Sequence, residues 1–177
     1  GGVAGYATFP SSHGSGTDGI VLEAAYMGTS ANNSKVLVHE MGHYLGLYHT
    51  FEGGCTNNDC MTDGDRVCDT PPDQSTAQVP CGGAANTCMT DTDSGFATDQ
   101  NDMFWNYLDY GDLNCFSAFT EGQIDRMHFS IENYQQSFSF LRKAHLSRQI
   151  DEQEKQLNID LIDSIKSRFL KYSKYKA

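Results

Sequence analysis

The chain has 177 residues, enough for one domain with its own core. Its 38% hydrophobic content and 17 glycines mark a globular, loop-rich protein and exclude disordered or fibrous classes, and no apolar run is long enough to span a bilayer. The net charge of −11 is unevenly placed: residues 1–140 hold three basic residues against 18 acids, residues 141–177 nine against five, and so acidic a body argues against nucleic acid as a partner.

The chain opens Gly1-Gly2-Val3, with neither a Met nor a charged leader, and reads as a processed product or an excised fragment. Tyr6-Ala7-Thr8-Phe9 looks like a strand end stopped by Pro10. Residues 11–19 form a flexible surface loop in which His13 is solvated. Residues 20–27 read as one mostly buried strand, placed to form the upper rim of a cleft and to bind an extended peptide by strand addition. A turn over residues 29–33 leads to Ser34, a plausible N-cap for the helix that follows, whose apolar cover comes from Val36, Leu37, Met41, Tyr44 and Leu45.

That helix carries the chemistry. Residues 39–49 read H-E-x-x-H-x-x-G-x-x-H. On a helix, positions i and i+4 lie on one face with Cβ atoms roughly 5–6 Å apart, so His39 and His43 reach one metal ion. Glu40 sits beside them, placed to activate a water on the metal. Gly46 adopts φ > 0 and ends the helix, and the returning chain brings in His49 as a third nitrogen ligand. Three imidazoles with one position left open is the composition of a catalytic zinc site. The alternative is a buried amphipathic helix with hydrogen-bonded histidines.

Six cysteines, Cys55, Cys60, Cys68, Cys81, Cys88 and Cys115, lie in the loop-rich middle, none in a C-x-x-C pair. This argues against a zinc ribbon or thioredoxin-like site and for disulfides in an oxidising, extracellular setting, with a pairing that spacing alone does not choose. The acids between Cys55 and Gln100 are all Asp, short carboxylates that suit a hard cation such as calcium or, equally, solvated turns. Residues 101–110 are an apolar, aromatic run. Thr120 and Gln123 make a capping-box pattern for a helix continuing through Ile124, Met127, His128 and Ile131, with His128 packed or hydrogen-bonded rather than ligating. Residues 141–177 form a separate charged tail with Ile150, Leu157, Leu161, Ile165 and Phe169 at helical spacing.

The motif from His39 to His49 resembles the metzincin metalloproteases. Its end, Gly46-Leu47-Tyr48-His49-Thr50-Phe51, is similar to the pappalysin family, and further matches follow in order at Gly64-Asp65, Asp69-Thr70-Pro71, Asn86-Thr87-Cys88, Asn106-Tyr107-Leu108-Asp109-Tyr110, Cys115, Phe119-Thr120-Glu121-Gly122-Gln123 and Arg126-Met127. The resemblance covers roughly residues 5–130. It implies an α+β fold in which residues 1–140 form a partial catalytic domain: a small upper sheet and zinc helix over an irregular, disulfide-stapled lower part, followed by the tail of residues 141–177. It implies zinc on His39, His43 and His49, Glu40 as general base, and calcium on Asp65, Asp69 and Thr70. It pairs Cys88 with Cys115 and Cys81 with Cys60 or Cys55, leaving the remaining cysteine for Cys68. Tyr110 takes the role of oxyanion donor.

This sequence departs from the family at three places. Leu108 stands where the family has a methionine as apolar floor beneath the zinc, a swap close in volume. Asn114 stands in the specificity pocket where members that cut next to Arg carry an acid, which removes the basis for a basic preference after the scissile bond unless Asp109 or Asp112 substitutes. Fewer residues precede the zinc helix than in the family. The expectation is a secreted zinc endopeptidase acting on polypeptides, of unspecified oligomeric state; the alternative is a non-catalytic calcium-binding module that keeps the shape. The intact Glu40 favours the enzyme.

Overall fold

The computed structural model describes residues 3–28, 30–74 and 79–146, the last twelve of these by their backbone alone. The chain divides into two units, Gly1–Gln135 and Gln136–Ala177, and the site lies in the first. The amphipathic tail expected around Ile150 to Phe169 lies outside the described residues.

Two short strands, β1 (Gly5–Ala7) and β2 (Ile20–Leu22), pair antiparallel with Tyr6 opposite Val21. Thr8 N–H to Gly19 O and Glu23 N–H to Ala4 O, both 2.9 Å, extend the ladder by a residue at either end. The long strand expected over residues 20–27 is therefore wrong. It stops at Leu22 and gives way to a 3₁₀ turn, Ala24–Tyr26, because the partner strand has ended and Ala-Ala tolerates helical dihedrals well. Val21 is 48% exposed, so β2 is not mostly buried either.

The intervening loop is not loose. Pro10 opens a 3₁₀ turn, Thr8 Oγ1 donates to Thr17 O at 2.9 Å, and Gly14 N–H donates to Asp18 Oδ2 at 2.7 Å. His13, expected in solvent, is half-buried with its ring stacked on Tyr44 at 4.1 Å.

The zinc-motif helix α1 spans Lys35–Tyr44. Ser34 does not cap it: its backbone is already helical and its hydroxyl donates back to Ser30 O at 2.9 Å. Val36 is buried, but Leu37, expected in the apolar cover, is 44% exposed. The C-terminus closes as the sequence requires. Gly46 has φ +93°, its N–H reaches His43 O and the Leu47 N–H reaches Gly42 O, both at 2.9 Å, the two bonds of a Schellman motif.

Three disulfides staple the irregular middle: Cys55–Cys88, Cys60–Cys68 and Cys81–Cys115. This corrects the pairing drawn from the resemblance, Cys88 with Cys115 and Cys81 with Cys60 or Cys55; only the option of joining Cys60 to Cys68 is realised. The physical reason is in the loop's own hydrogen bonds. Thr90 Oγ1 donates to Cys55 O, Gln74 N–H to Thr87 Oγ1 and Thr87 Oγ1 to Asp73, all at 3.0 Å. These hold residues 87–90 against residues 55–74, so Cys88 faces Cys55 and leaves Cys115 to Cys81. Closing loops 33 and 34 residues apart stabilises the fold by about 3–4 kcal/mol each in the chain-entropy picture.

Helix α2 spans Glu121–Leu146. Its capping box forms: Thr120 N–H donates to Gln123 Oε1 at 2.9 Å and Gln123 N–H to Thr120 Oγ1 at 3.1 Å. Asp69 adds a carboxylate at the same end, accepting from Thr120 Oγ1 at 2.7 Å and Gly122 N–H at 2.9 Å, where the helix dipole favours negative charge. His128, expected to be packed or hydrogen-bonded, is exposed. No described helix is long and apolar enough to cross a membrane.

Candidate active site

Helical spacing puts His39 and His43 one turn apart, with their Nε2 atoms separated by 3.1 Å. The Schellman reversal then returns the chain, and His49 Nε2 lies 3.1 Å from His43 Nε2. The Nδ1 atoms fix the tautomers. His39 Nδ1 donates to Tyr107 O at 2.6 Å and His43 Nδ1 to Leu47 O at 2.8 Å. Both Nε2 atoms therefore carry lone pairs, and these cannot hydrogen-bond one another. Those two lone pairs repel unless a proton from His49 or a cation lies among them, and the three nitrogens are close enough together to hold one metal ion. A tetrahedral zinc with Zn–N of about 2.0–2.1 Å spaces its nitrogens by roughly 3.3–3.4 Å, so this donor set fits zinc.

The electrostatics agree with a ligand role. Burial, then the neighbouring His43, lowers the His39 pKa to about 4; burial, then His43 and His39, lowers that of His49 to about 3. Burial also lowers His43. All three stay neutral at pH 7, the form that binds metal.

Glu40 is 5% exposed, and burial raises its carboxyl to about 7. A Cβ added at Gly5 in β1 would lie 2.9 Å from Glu40 Oε1, so the strand's backbone lies directly over the carboxyl. The cleft in front of the histidines, about 420 Å³, is walled by Gly5, Tyr6, Ala7 and Phe9 on one side. The strand beside the site is thus β1, not the segment over residues 20–27. Tyr110 lies at the rim, 45% exposed, its ring 4.8 Å from that of His49 and 5.9 Å from that of His39.

The floor is the turn at residues 106–110. Leu108 is fully buried beneath α1, and a Cβ at Gly42 would meet its Cδ2 at 2.8 Å. Leu108 N–H donates to Asn106 Oδ1 at 2.9 Å, and Thr50 N–H to Leu108 O at 3.2 Å. Asn106 in turn exchanges amide hydrogen bonds with Gln123 at 2.8 and 3.2 Å. The capping residue of α2 thereby supports the turn that orients His39. Asn114, expected in the specificity pocket, is exposed. Its side chain bonds Asn32 and, at 2.7 Å, Asp112 Oδ1.

Of the expected calcium ligands, two meet. Thr70 Oγ1 lies 2.7 Å from Asp65 Oδ2 and 2.8 Å from Val67 O, while Asp69 is turned to the start of α2. Burial raises Asp65 to about 7.

Sequence reading missed Gly5, whose signal was only a glycine beside a strand, and missed a buried acid pair. Asp109 is 3% exposed, accepts from Thr50 Oγ1 at 3.0 Å and hydrogen-bonds Asp73, which is 1% exposed. Burial and then Asp73 hold the Asp109 carboxyl well above the usual carboxylate range. The native state thus keeps a proton that the unfolded chain releases above about pH 4, so stability falls as pH rises through that interval. Asp109→Asn is expected to flatten this slope, as read from melting temperatures of the metal-free protein between about pH 5 and pH 8.

The sequence matches the pattern of the peptidase family M43, pregnancy-associated plasma protein-A, over residues 2–132. An extracellular metalloprotease of Verticillium alfalfae is 40% identical over 134 residues, covering 70% of this chain and 43% of that protein. One of Pyricularia oryzae is 37% identical over 134 residues, covering 72% and 43%. Among solved structures, a promirolysin variant of Tannerella forsythia superposes with a TM-score of 0.58 at 26% identity, covering 77% of this chain and 45% of that one. Mature mirolysin in complex with a cleaved peptide gives 0.50 at 26%, covering 72% and 47%. The chain spans less than half the length of these relatives. Its convergent histidines, their helix and turn, and its metzincin-like fold accompany a match over most of its length: the chain belongs to the pappalysin family, peptidase family M43, of zinc metalloproteases.

Proposed function

We propose that this chain is the core of a secreted zinc endopeptidase. The observation that carries this reading is the convergence of three imidazole nitrogens, two from buried histidines and one from half-buried His49, beside a buried glutamate at the base of an open cleft. Bound by His39, His43 and His49, zinc supplies Lewis acidity to the scissile carbonyl and to water. Glu40 accepts the proton of the attacking water and delivers it to the departing amine. The Tyr110 hydroxyl donates to the oxyanion that develops on the carbonyl. An extended substrate lies along β1, whose backbone walls the cleft. Disulfides and the names of the relatives support an extracellular setting.

The test is a diverse peptide pool incubated with zinc-loaded protein and with Glu40→Ala. Cleavage is expected to fall by on the order of 10³-fold or more in the variant while zinc stoichiometry is retained. Absence of cleavage by the wild type, or cleavage that survives Glu40→Ala, rejects the reading and favours the non-catalytic alternative.

Calcium is proposed on Asp65, the Thr70 hydroxyl and the Val67 carbonyl, with Asp69 serving α2 instead. Three clustered oxygens, one from a buried acid, suit a hard cation. Calcium at about 100 times its dissociation constant is expected to stabilise the wild type by roughly 2.7 kcal/mol. In thermal melts, the same response in Asp65→Ala refutes the site.

A further inference from the structure

Two of the three histidines are oriented in the same way, His39 Nδ1 by Tyr107 O and His43 Nδ1 by Leu47 O. Among the described residues no such carbonyl holds Nδ1 of His49, and its ring is packed against other rings instead. Something must fix that ring, because the torsion that turns an imidazole about its Cβ–Cγ bond is soft. Turning it swings Nε2 out of line with the nitrogens of His39 and His43.

The ring that faces His49 is that of Phe51. Residues 49–52 make a turn, closed by Glu52 N–H to His49 O at 3.0 Å. Thr50, 3% exposed, anchors it: its N–H donates to Leu108 O at 3.2 Å and its hydroxyl to Asp109 Oδ2 at 3.0 Å. The anchored turn lays the Phe51 ring on that of His49, with centroids 4.6 Å apart and planes inclined by 9°. Phe51 also meets the Tyr110 ring at 4.9 Å and 62°, and Tyr110 meets His49 at 4.8 Å and 70°. Stacked and edge-on contacts are the two that aromatic pairs favour, so the three rings brace one another.

We infer that Phe51 is a positioning residue, which sets the ring plane of His49 as the third zinc ligand and the place of Tyr110 at the cleft rim. Phe51 does not line the cleft, so it acts through these two rings and not on a substrate. Its flat face opposes rotation of the imidazole. An aliphatic side chain in its place fills space but leaves the plane unset. The consequence for cleavage rests on the endopeptidase reading above; the consequence for metal binding does not.

The experiment compares wild type, Phe51→Leu and Phe51→Tyr by zinc competition against a chromophoric chelator. Phe51→Leu is expected to bind zinc about tenfold more weakly, the lower end of what loss of an outer partner of a metal ligand costs. Phe51→Tyr keeps the ring plane and the wild-type affinity. Cobalt(II) in place of zinc should show altered d–d absorption in Phe51→Leu and unaltered absorption in Phe51→Tyr. Because Phe51 is half-buried, melting of the metal-free variants should change little. Phe51→Met, a second variant without a plane, is held to the same outcomes if Phe51→Leu does not fold. In a His49→Ala background Phe51→Leu should cost no further zinc affinity. Wild-type affinity and cobalt spectrum in Phe51→Leu overturn the inference, and so does an equal loss with and without His49, which assigns Phe51 to the fold alone. With peptides that the wild type cleaves, zinc-saturated Phe51→Leu should lose kcat and keep KM. A protein that binds zinc and cleaves nothing fails the endopeptidase reading, and the zinc and cobalt measurements still decide the role of Phe51.

Discussion

Replacing His43 with alanine is expected to remove zinc binding and cleavage together and to lower the stability of the metal-free protein. His43 is the central one of the three proposed ligands, its Nε2 standing 3.1 Å from the Nε2 atoms of both His39 and His49. Without it two imidazoles remain, and a zinc site held by two protein ligands is weaker by on the order of 10³-fold or more. His43 is also 8% exposed and donates to Leu47 O, so truncation leaves a buried carbonyl unpaired at a cost of about 1–3 kcal/mol. Zinc competition against a chromophoric chelator reads the first effect and thermal unfolding in chelator the second. Wild-type zinc affinity in His43→Ala contradicts the ligand assignment outright.

Gly42→Ala is expected to damage the site without touching a ligand. The new Cβ would stand 2.8 Å from Leu108 Cδ2 and 3.4 Å from both Leu108 Cδ1 and Phe119 Cε1. Alanine is the better helix former by about 1 kcal/mol, while overpacking a filled core costs about 1–3 kcal/mol. The second effect wins because Leu108 has nowhere to go: it is fully buried, and its backbone is bonded on one side by Asn106 and on the other by Thr50. Displacing the turn also moves Tyr107 O, the acceptor that orients His39. Both melting temperature and zinc affinity should fall. Leu108→Val, which removes a methylene from the contact, should restore part of each when combined with Gly42→Ala. An unchanged melting temperature in the single variant means that the floor yields.

The sequence by itself pointed to His39, His43, His49 and Glu40 as one constellation, to the C-terminal end of α1 and to the start of α2. These are short-range matters. Helical period brings His39 to His43, a glycine free to take φ +93° brings His49 back, and Thr120 and Gln123 cap one another three residues apart. Tertiary structure decided the rest. The disulfide partners depend on which loop Asp73, Thr87 and Thr90 hold against residues 55–74, and the spacing of six cysteines carries no record of that. Residues 20–27 have the apolar run of a strand, yet the strand ends where its partner does. Asp69 is a calcium ligand by the resemblance alone; in the fold its two oxygens accept from Thr120 Oγ1 and Gly122 N–H at the start of α2. Leu108 as floor was legible only through the family's motif order; Asn106 and Gln123, which hold it, lie 17 residues apart and meet only in the folded chain.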